Sequence, residues 1–335
     1  MTPDGRPLSQ DHVPRPEPGA GEVLLRVRAC GICHTELDEI EGRAAPDALP
    51  VVPGHQVVGE VLRTGPDGRR ELVGQRVGVA WIHSACGDCR WCREGRENLC
   101  PGFRGCGRDA DGGYAEFMTA PEAFVHPLPG ALSDRDVAPL LCAGAVGYRA
   151  LRLCELSRGA PLGLTGFGAS GHLVLQMARH RHPESPVFVF ARNPDERTLA
   201  RDLGAAWAGN TQDTPPEAPD AIIDTTPAWK PVLAALAALR PGGRLVVNAI
   251  AKEDDDIALM QHLDYTEHLW REKQLRTVTN VTREDVRACL ALAAEAGLSP
   301  RTTAWPFDQA NEALQALRFG DVTGALVLVP TESAA

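Results

Sequence analysis

Leu162-Gly163-Leu164-Thr165-Gly166-Phe167-Gly168-Ala169-Ser170-Gly171-His172-Leu173-Val174-Leu175 joins a short apolar run, a GxGxxG turn and the start of an amphipathic segment that continues to Arg179. Glycines at Gly166, Gly168 and Gly171 permit a tight turn and close backbone approach, and the helix that follows offers unpaired N–H groups to a pyrophosphate. Alone the glycine pattern is weak; the strand before it and the helix after it supply the context a dinucleotide site needs. The same alternation extends outward. Pro186 to Phe190 reads as a strand, Pro194 to Leu203 as a helix closed by Gly204, and Asp220 to Thr226 as a buried strand. Trp229 to Leu239 is helical, and Arg244 to Ile250 returns to the sheet. The fold class is therefore α/β, with a doubly wound parallel sheet over residues 145–285. Topology puts Asp224 and Thr225 near the cofactor crevice and the strand end Asn248-Ala249-Ile250 near the expected nicotinamide position.

About twenty residues past such a glycine turn an NAD site usually carries an acid for the adenosine ribose. Here the strand ends in Ala191-Arg192-Asn193. Without the acid there is no repulsion towards a 2′-phosphate, and the Arg192 guanidinium can pair with one, so NADP(H) is favoured over NAD(H). The plainer reading of Arg192 is a side chain that faces solvent or stacks on adenine.

Residues 1–144 have a different texture. A Pro-rich opening leads to the alternating strand from Glu22 to Ala29, then to Cys30-Gly31-Ile32-Cys33-His34-Thr35-Glu36, read as a loop. Polar turns near Gly42 to Pro50 precede Pro53-Gly54-His55-Gln56 and further strands near 57–62 and 77–82. This half reads as mainly β with functional loops. A thiolate at Cys33 and an imidazole at His55 are two of the three protein ligands of a catalytic zinc, although a cysteine near a strand end is usually packing. The sharper signal is Cys86-Gly87-Asp88-Cys89-Arg90-Trp91-Cys92, with Cys100 following. Four thiolates with no open position describe a structural zinc site, and an iron–sulfur site is the smaller alternative.

The bulk numbers bound the rest. A chain of 335 residues exceeds one ordinary core, so two domains are expected. A formal charge of −10 without basic runs excludes a general nucleic-acid or membrane-surface binder. No apolar run approaches the roughly 18–20 residues of a membrane span, and Met1-Thr2-Pro3-Asp4-Gly5 reads as no signal peptide, so the expected location is cytoplasmic. Clustered cysteines in such a chain point to metal before disulfides.

These motifs, with Asp111-Gly112-Gly113-Tyr114-Ala115-Glu116-Phe117 after the cysteine cluster, resemble the zinc-containing alcohol dehydrogenases of the medium-chain dehydrogenase/reductase superfamily. The resemblance covers about residues 20–330 and is specific through its motifs jointly. It implies a GroES-like catalytic domain at 1–144 with a structural-zinc lobe, a Rossmann domain at 145–285, and a tail at 286–335 that rejoins the catalytic domain. It assigns Cys33, His55 and Cys142 to a catalytic zinc and Cys86, Cys89, Cys92 and Cys100 to a structural one, two zinc ions per chain. Thr35 matches the hydroxyl that takes the alcohol proton; the plain alternative is a loop-capping hydroxyl. Trp81 matches an aromatic that narrows the substrate pocket, against plain core packing.

Two positions depart from the family pattern. Gln56 stands where many members have an acid after the ligand histidine, and Asp38 where many have the histidine through which the proton reaches solvent. Asp38 passes protons as a carboxylate, or the path runs through water. His34 matches no ligand and is either a phosphate or substrate contact or a solvated loop histidine. Cys30, Cys106, Cys154 and Cys289 fit no ligand pattern. The function implied is a zinc-dependent alcohol dehydrogenase or aldehyde reductase using a nicotinamide cofactor, as a homodimer or homotetramer with a small alcohol or aldehyde substrate. The second reading is a specialised biosynthetic reductase of an aldehyde, iminium or activated alkene.

Overall fold

The computed structural model describes residues 8–320 and 322–330; the opening Met1 to Gly5 read above lies outside the described residues. The chain divides into two compact units, one of residues 1–145, 280–295 and 299–335, the other of residues 146–279 and 296–298.

The first unit is built on a mixed sheet of seven strands among the described residues, centred on Glu22–Ile32. This strand pairs antiparallel with Gln56–Thr64, with Phe117–Pro121 and with Ala325–Val329 near the chain end. That last pairing makes the unit discontinuous in sequence. Alternation along the central strand sends Val23, Leu25 and Val27 to one face, where they pack with Val57, Val61, Val77, Val79 and Met118. The return to this unit comes at Asn280, earlier than the sequence boundary of 286. The physical reason is a reciprocal cap: Thr282 Oγ1 and its backbone N–H donate to Asp285 Oδ2 at 2.8 and 3.0 Å, while the Asp285 N–H donates to Thr282 Oγ1 at 3.1 Å. This starts the helix Arg283–Ala296, whose first turn is tied to Glu97 through the Arg283 N–H at 2.9 Å.

The second unit carries six parallel strands in the order Trp207–Gly209, Val187–Phe190, Leu162–Thr165, Ala221–Asp224, Arg244–Val247, Gln274–Thr277. In chain order this is 3-2-1-4-5-6, a Rossmann sheet whose direction of winding reverses between Leu162–Thr165 and Ala221–Asp224. Ligands of such sheets sit beyond the strand C-termini at that reversal. Near-continuous apolar strands are buried on both faces, as at Val187–Phe190.

Candidate active site

The segment after the central strand is not a loop. A helix, His34–Ile40, begins directly after Cys33. The Glu36 carboxylate turns back to accept the Cys33 N–H at 2.8 Å, which satisfies a free donor of the first turn. Glu36 also reaches sideways, its Oε1 lying 2.6 Å from His55 Nδ1. His55 is delivered by Gly54, whose φ of +100° and whose contact with Tyr114 and Cys30 leave no room for a Cβ.

Glu36 on one ring nitrogen fixes the imidazole and leaves Nε2 buried without a hydrogen-bond partner. Ligand atoms of Cys33, His55 and Cys142 all lie within 4.8 Å of one another. In a zinc site tetrahedral geometry separates ligand atoms by about 3.5–4 Å, so the donor set fits that metal with a fourth position free. A hydrogen bond from Cys142 holds the Cys33 thiol well below the usual cysteine range, and the same bond, with burial, pushes Cys142 up. Burial disfavours the His55 imidazolium, but the Glu36 carboxylate and the Cys33 sulfur outweigh it.

The remaining expected residues fall around this centre. Thr35 Oγ1 lies 3.5 Å from Cys33 Sγ. Asp38, expected at a solvent exit, is only 5% exposed; burial pushes its pKa up, while Arg43, with Nε 2.6 Å from Oδ1, opposes this. Trp81 occupies the break between strands Arg76–Val79 and Ile82–Ser84 and meets the His55 ring edge-on, with centroids 6.3 Å apart. Gln56 is packed against Gly31 and buried, and His34 is exposed. Two groups escaped the sequence reading, Glu36 and Glu39. The spacing Cys33-x-x-Glu36 is a capping signature that could have exposed the first; nothing local marks the second.

In the cysteine lobe the Sγ atoms of Cys86 and Cys92 lie 3.9 Å apart, those of Cys89 and Cys92 3.6 Å, and those of Cys86 and Cys100 3.4 Å. The edge of a tetrahedron with Zn–S bonds of ~2.3 Å is about 3.8 Å, so four thiolates fit one zinc. Backbone N–H groups of Cys86 and Gly102 donate to Cys100 Sγ at 3.4 and 3.3 Å. Against the effect of burial they help bring its pKa down to about 7, towards the thiolate a metal needs.

In the second unit Gly166 has φ +79°, and a Cβ there would meet Thr225 Oγ1 at 2.7 Å. A Cβ on Gly171 would strike the Gly166 carbonyl at 2.5 Å, whereas Gly168 faces open space. The helix Ala169–Arg181 starts at Gly168 with no side-chain cap, so its first N–H groups remain for an anion, which fits a pyrophosphate. Asn248 Nδ2 donates to Ser170 Oγ at 3.3 Å. Beyond Val187–Phe190, Ala191 is buried and Arg192 exposed, and Arg197 Nη1 donates to both their carbonyls at 2.7 and 2.8 Å. Asp224 is buried and bound by Thr165 Oγ1 at 2.7 Å and by Lys252, which ties the strand end at the reversal point to the following loop.

Residues 19–130 match the alcohol dehydrogenase GroES-like domain and residues 169–295 the zinc-binding dehydrogenase family. The chain is 44% identical over 331 residues to a probable alcohol dehydrogenase of Mycobacterium tuberculosis, spanning 97% of this chain and 94% of that one. It is 32% identical to an alcohol dehydrogenase of Geobacillus stearothermophilus over 96% of this chain and 95% of that one. Among solved structures, cinnamyl alcohol dehydrogenase of Sorghum bicolor superposes with a TM-score of 0.83 at 27% identity, over 100% and 98% of the two chains. The chain belongs to the zinc-binding alcohol dehydrogenase family of the medium-chain dehydrogenase/reductase superfamily, the oxidoreductases of alcohols and carbonyl compounds.

Proposed function

We propose that this enzyme transfers hydride between an alcohol or aldehyde and NADP(H), with a catalytic zinc held by Cys33, His55 and Cys142 and a structural zinc held by Cys86, Cys89, Cys92 and Cys100. The carrying observation is the convergence of two thiols and an imidazole within 4.8 Å around a buried, unpartnered His55 Nε2. Bound there with one position open, zinc supplies Lewis-acid polarisation of the substrate oxygen. Glu36 orients His55 and supplies the buried negative charge that Gln56 does not. Thr35 takes the hydroxyl proton and Asp38, three residues on, extends the path; a bound nicotinamide would supply the hydride acceptor, so that the balance is carbonyl, NADPH and one proton. Trp81 narrows the space beside His55. Metal analysis tests the donor sets: about two zinc per chain support the proposal, and one or none in fresh protein overturns it.

Arg192 carries the preference for NADP(H). Its side chain is exposed at the strand end where an acid would meet the ribose, and Ala191 leaves that position uncharged. Burial pushes the pKa of the half-buried Glu196 up and the Arg192 guanidinium opposes the shift, so the two side chains lie within electrostatic reach of each other. A charge-assisted bond of about 1.5–3 kcal/mol makes Arg192→Ala lower kcat/KM for NADPH by about 10- to 100-fold, with NADH affected far less. Wild-type enzyme that prefers NADH would sink this assignment.

A homodimer is proposed through the sheet edge Gln274–Thr277, whose four residues are exposed. Five of the ten large apolar side chains exposed among the described residues fall between Ile257 and Leu275, with Tyr265 at 62%, Trp270 at 61% and Leu275 at 49%. An open strand edge beside apolar surface is a template for pairing with a second copy. Leu275→Asp is expected to shift the mass seen by light scattering from dimer to monomer; an unchanged mass counts against this edge. No helix among the described residues is long and apolar enough to cross a membrane. A cytoplasmic location is proposed, because thiolate ligands need a reducing compartment.

A further inference from the structure

Glu39 has no part in the reaction above, and its polar atoms are left over beside it. Thr35 and Glu39 stand four residues apart on the helix His34–Ile40, hence on one face, and that face begins at the Cys33 sulfur. The Glu39 side chain is 4% exposed, and neither carboxylate oxygen has a hydrogen-bond partner. Leaving such a group unsatisfied costs on the order of 1–3 kcal/mol or more, so its retention calls for something that satisfies it. The Trp81 indole N–H reaches towards it but falls short of hydrogen-bond geometry and has no other partner. Glu36, His55 and Cys33 act most strongly on this carboxyl, the Arg108 guanidinium also feels it, and His55 is already engaged by Glu36. Burial and Glu36 push it up to about 8. A carboxyl with a purely structural role would have protein partners; this one, on the Thr35 face of its helix and within electrostatic reach of Trp81, His55 and Cys33, keeps both oxygens without one.

We propose that Glu39 selects the substrate class: the pocket takes an alcohol or aldehyde carrying a second hydrogen-bond-donating group, an ammonium or a hydroxyl, which the Glu39 carboxyl receives. This rests on the reading of Cys33, His55 and Cys142 as the catalytic metal set. A plain alkyl alcohol covers the carboxyl without satisfying it, and sites built for a polar group discriminate strongly against analogues that lack it.

The test compares n-butanol, its terminal diol and its terminal amino alcohol on the zinc-loaded holoenzyme, with kcat/KM as one readout and calorimetric binding as the other. Wild type is expected to favour the diol or the amino alcohol over n-butanol by about 10- to 100-fold. In Glu39→Ala that ratio falls towards one, and Glu39→Gln keeps selection for the diol while losing it for the amino alcohol. Wild type that favours n-butanol overturns the proposal without any variant having to fold. A ratio unchanged in Glu39→Ala, or substituted alcohols that bind equally to wild type and Glu39→Ala, overturns it as well and leaves the reading of the reaction intact. No turnover of any of the three, with substituted-alcohol binding still dependent on Glu39, overturns the reading of the reaction and supports the role of the carboxyl.

Discussion

Replacing Cys142 by serine is expected to lower kcat/KM for alcohol oxidation by about 10³- to 10⁴-fold, the equivalent of the several kcal/mol a metal Lewis acid contributes to stabilising charge on oxygen. The size of the effect follows from the chemistry of the donor set. A serine hydroxyl at neutral pH is a far poorer ligand than a thiolate, and with two remaining protein donors the site no longer holds zinc at three points. Zinc per chain should fall from about two to about one, the remaining ion staying in the cysteine lobe. Activity retained within tenfold, or an unchanged zinc count, would remove Cys142 from the ligand set. The thermal transition should move little by comparison, because Cys142 lies at the start of a helix in a well-packed region flanked by buried Leu140, Leu141 and Ala143.

The sequence signals that survived intact are those whose physics is local. A strand, a glycine turn and a helix in immediate succession specify the turn at Gly166–Gly171, and cysteines two residues apart specify a local loop that gathers four sulfurs. Cys142 is different: no spacing connects it to Cys33 or His55, and only the family pattern singled it out. The helix His34–Ile40 is illegible as a helix in the sequence because six of its seven residues are buried while five are polar or charged, so no apolar stripe marks its period. Buried carboxylates invert the usual rule that acids lie outside, which is why Glu36 and Glu39 were invisible until His55 and Trp81 were brought beside them. Strands Phe117–Pro121 and Thr302–Pro306 were missed for another reason, since each is short and defined by a distant partner, the first by Glu22–Ile32 and the second by Ala325–Val329. Asp38 is legible as a departure from the family's proton path but not as the partner of Arg43, a pairing that accompanies its burial.

Cys92→Ser should remove the other zinc and cost the protein stability before it costs chemistry. The lobe from Cys86 to Cys100 has almost no core of its own: within it Glu97, Asn98 and Cys100 are buried, while Arg90, Arg93, Glu94 and Gly95 are exposed. A segment without apolar burial cannot offset its chain entropy by itself, which is the role the proposed zinc would fill; structural zinc sites are worth about 10–16 kcal/mol in small domains. Part of that is lost to refolding of the loop around three thiols; a net cost of about 4 kcal/mol corresponds to a Tm lowered by roughly 6 °C in a chain of this size. The loss spreads through Glu97, whose Oε1 accepts both the Arg283 N–H at 2.9 Å and its Nε–H at 3.1 Å. That contact fixes the point at which the chain rejoins the first unit, so a disordered lobe releases the start of the helix Arg283–Ala296 and, beyond it, the strand Ala325–Val329 that pairs with Glu22–Ile32. The signature is therefore one zinc per chain, a lowered Tm, and proteolytic cleavage within 86–100 at temperatures where residual activity persists. Two zinc ions and an unchanged Tm in Cys92→Ser would show that the lobe stands without its fourth thiolate, and the cage would then have to be closed by another donor.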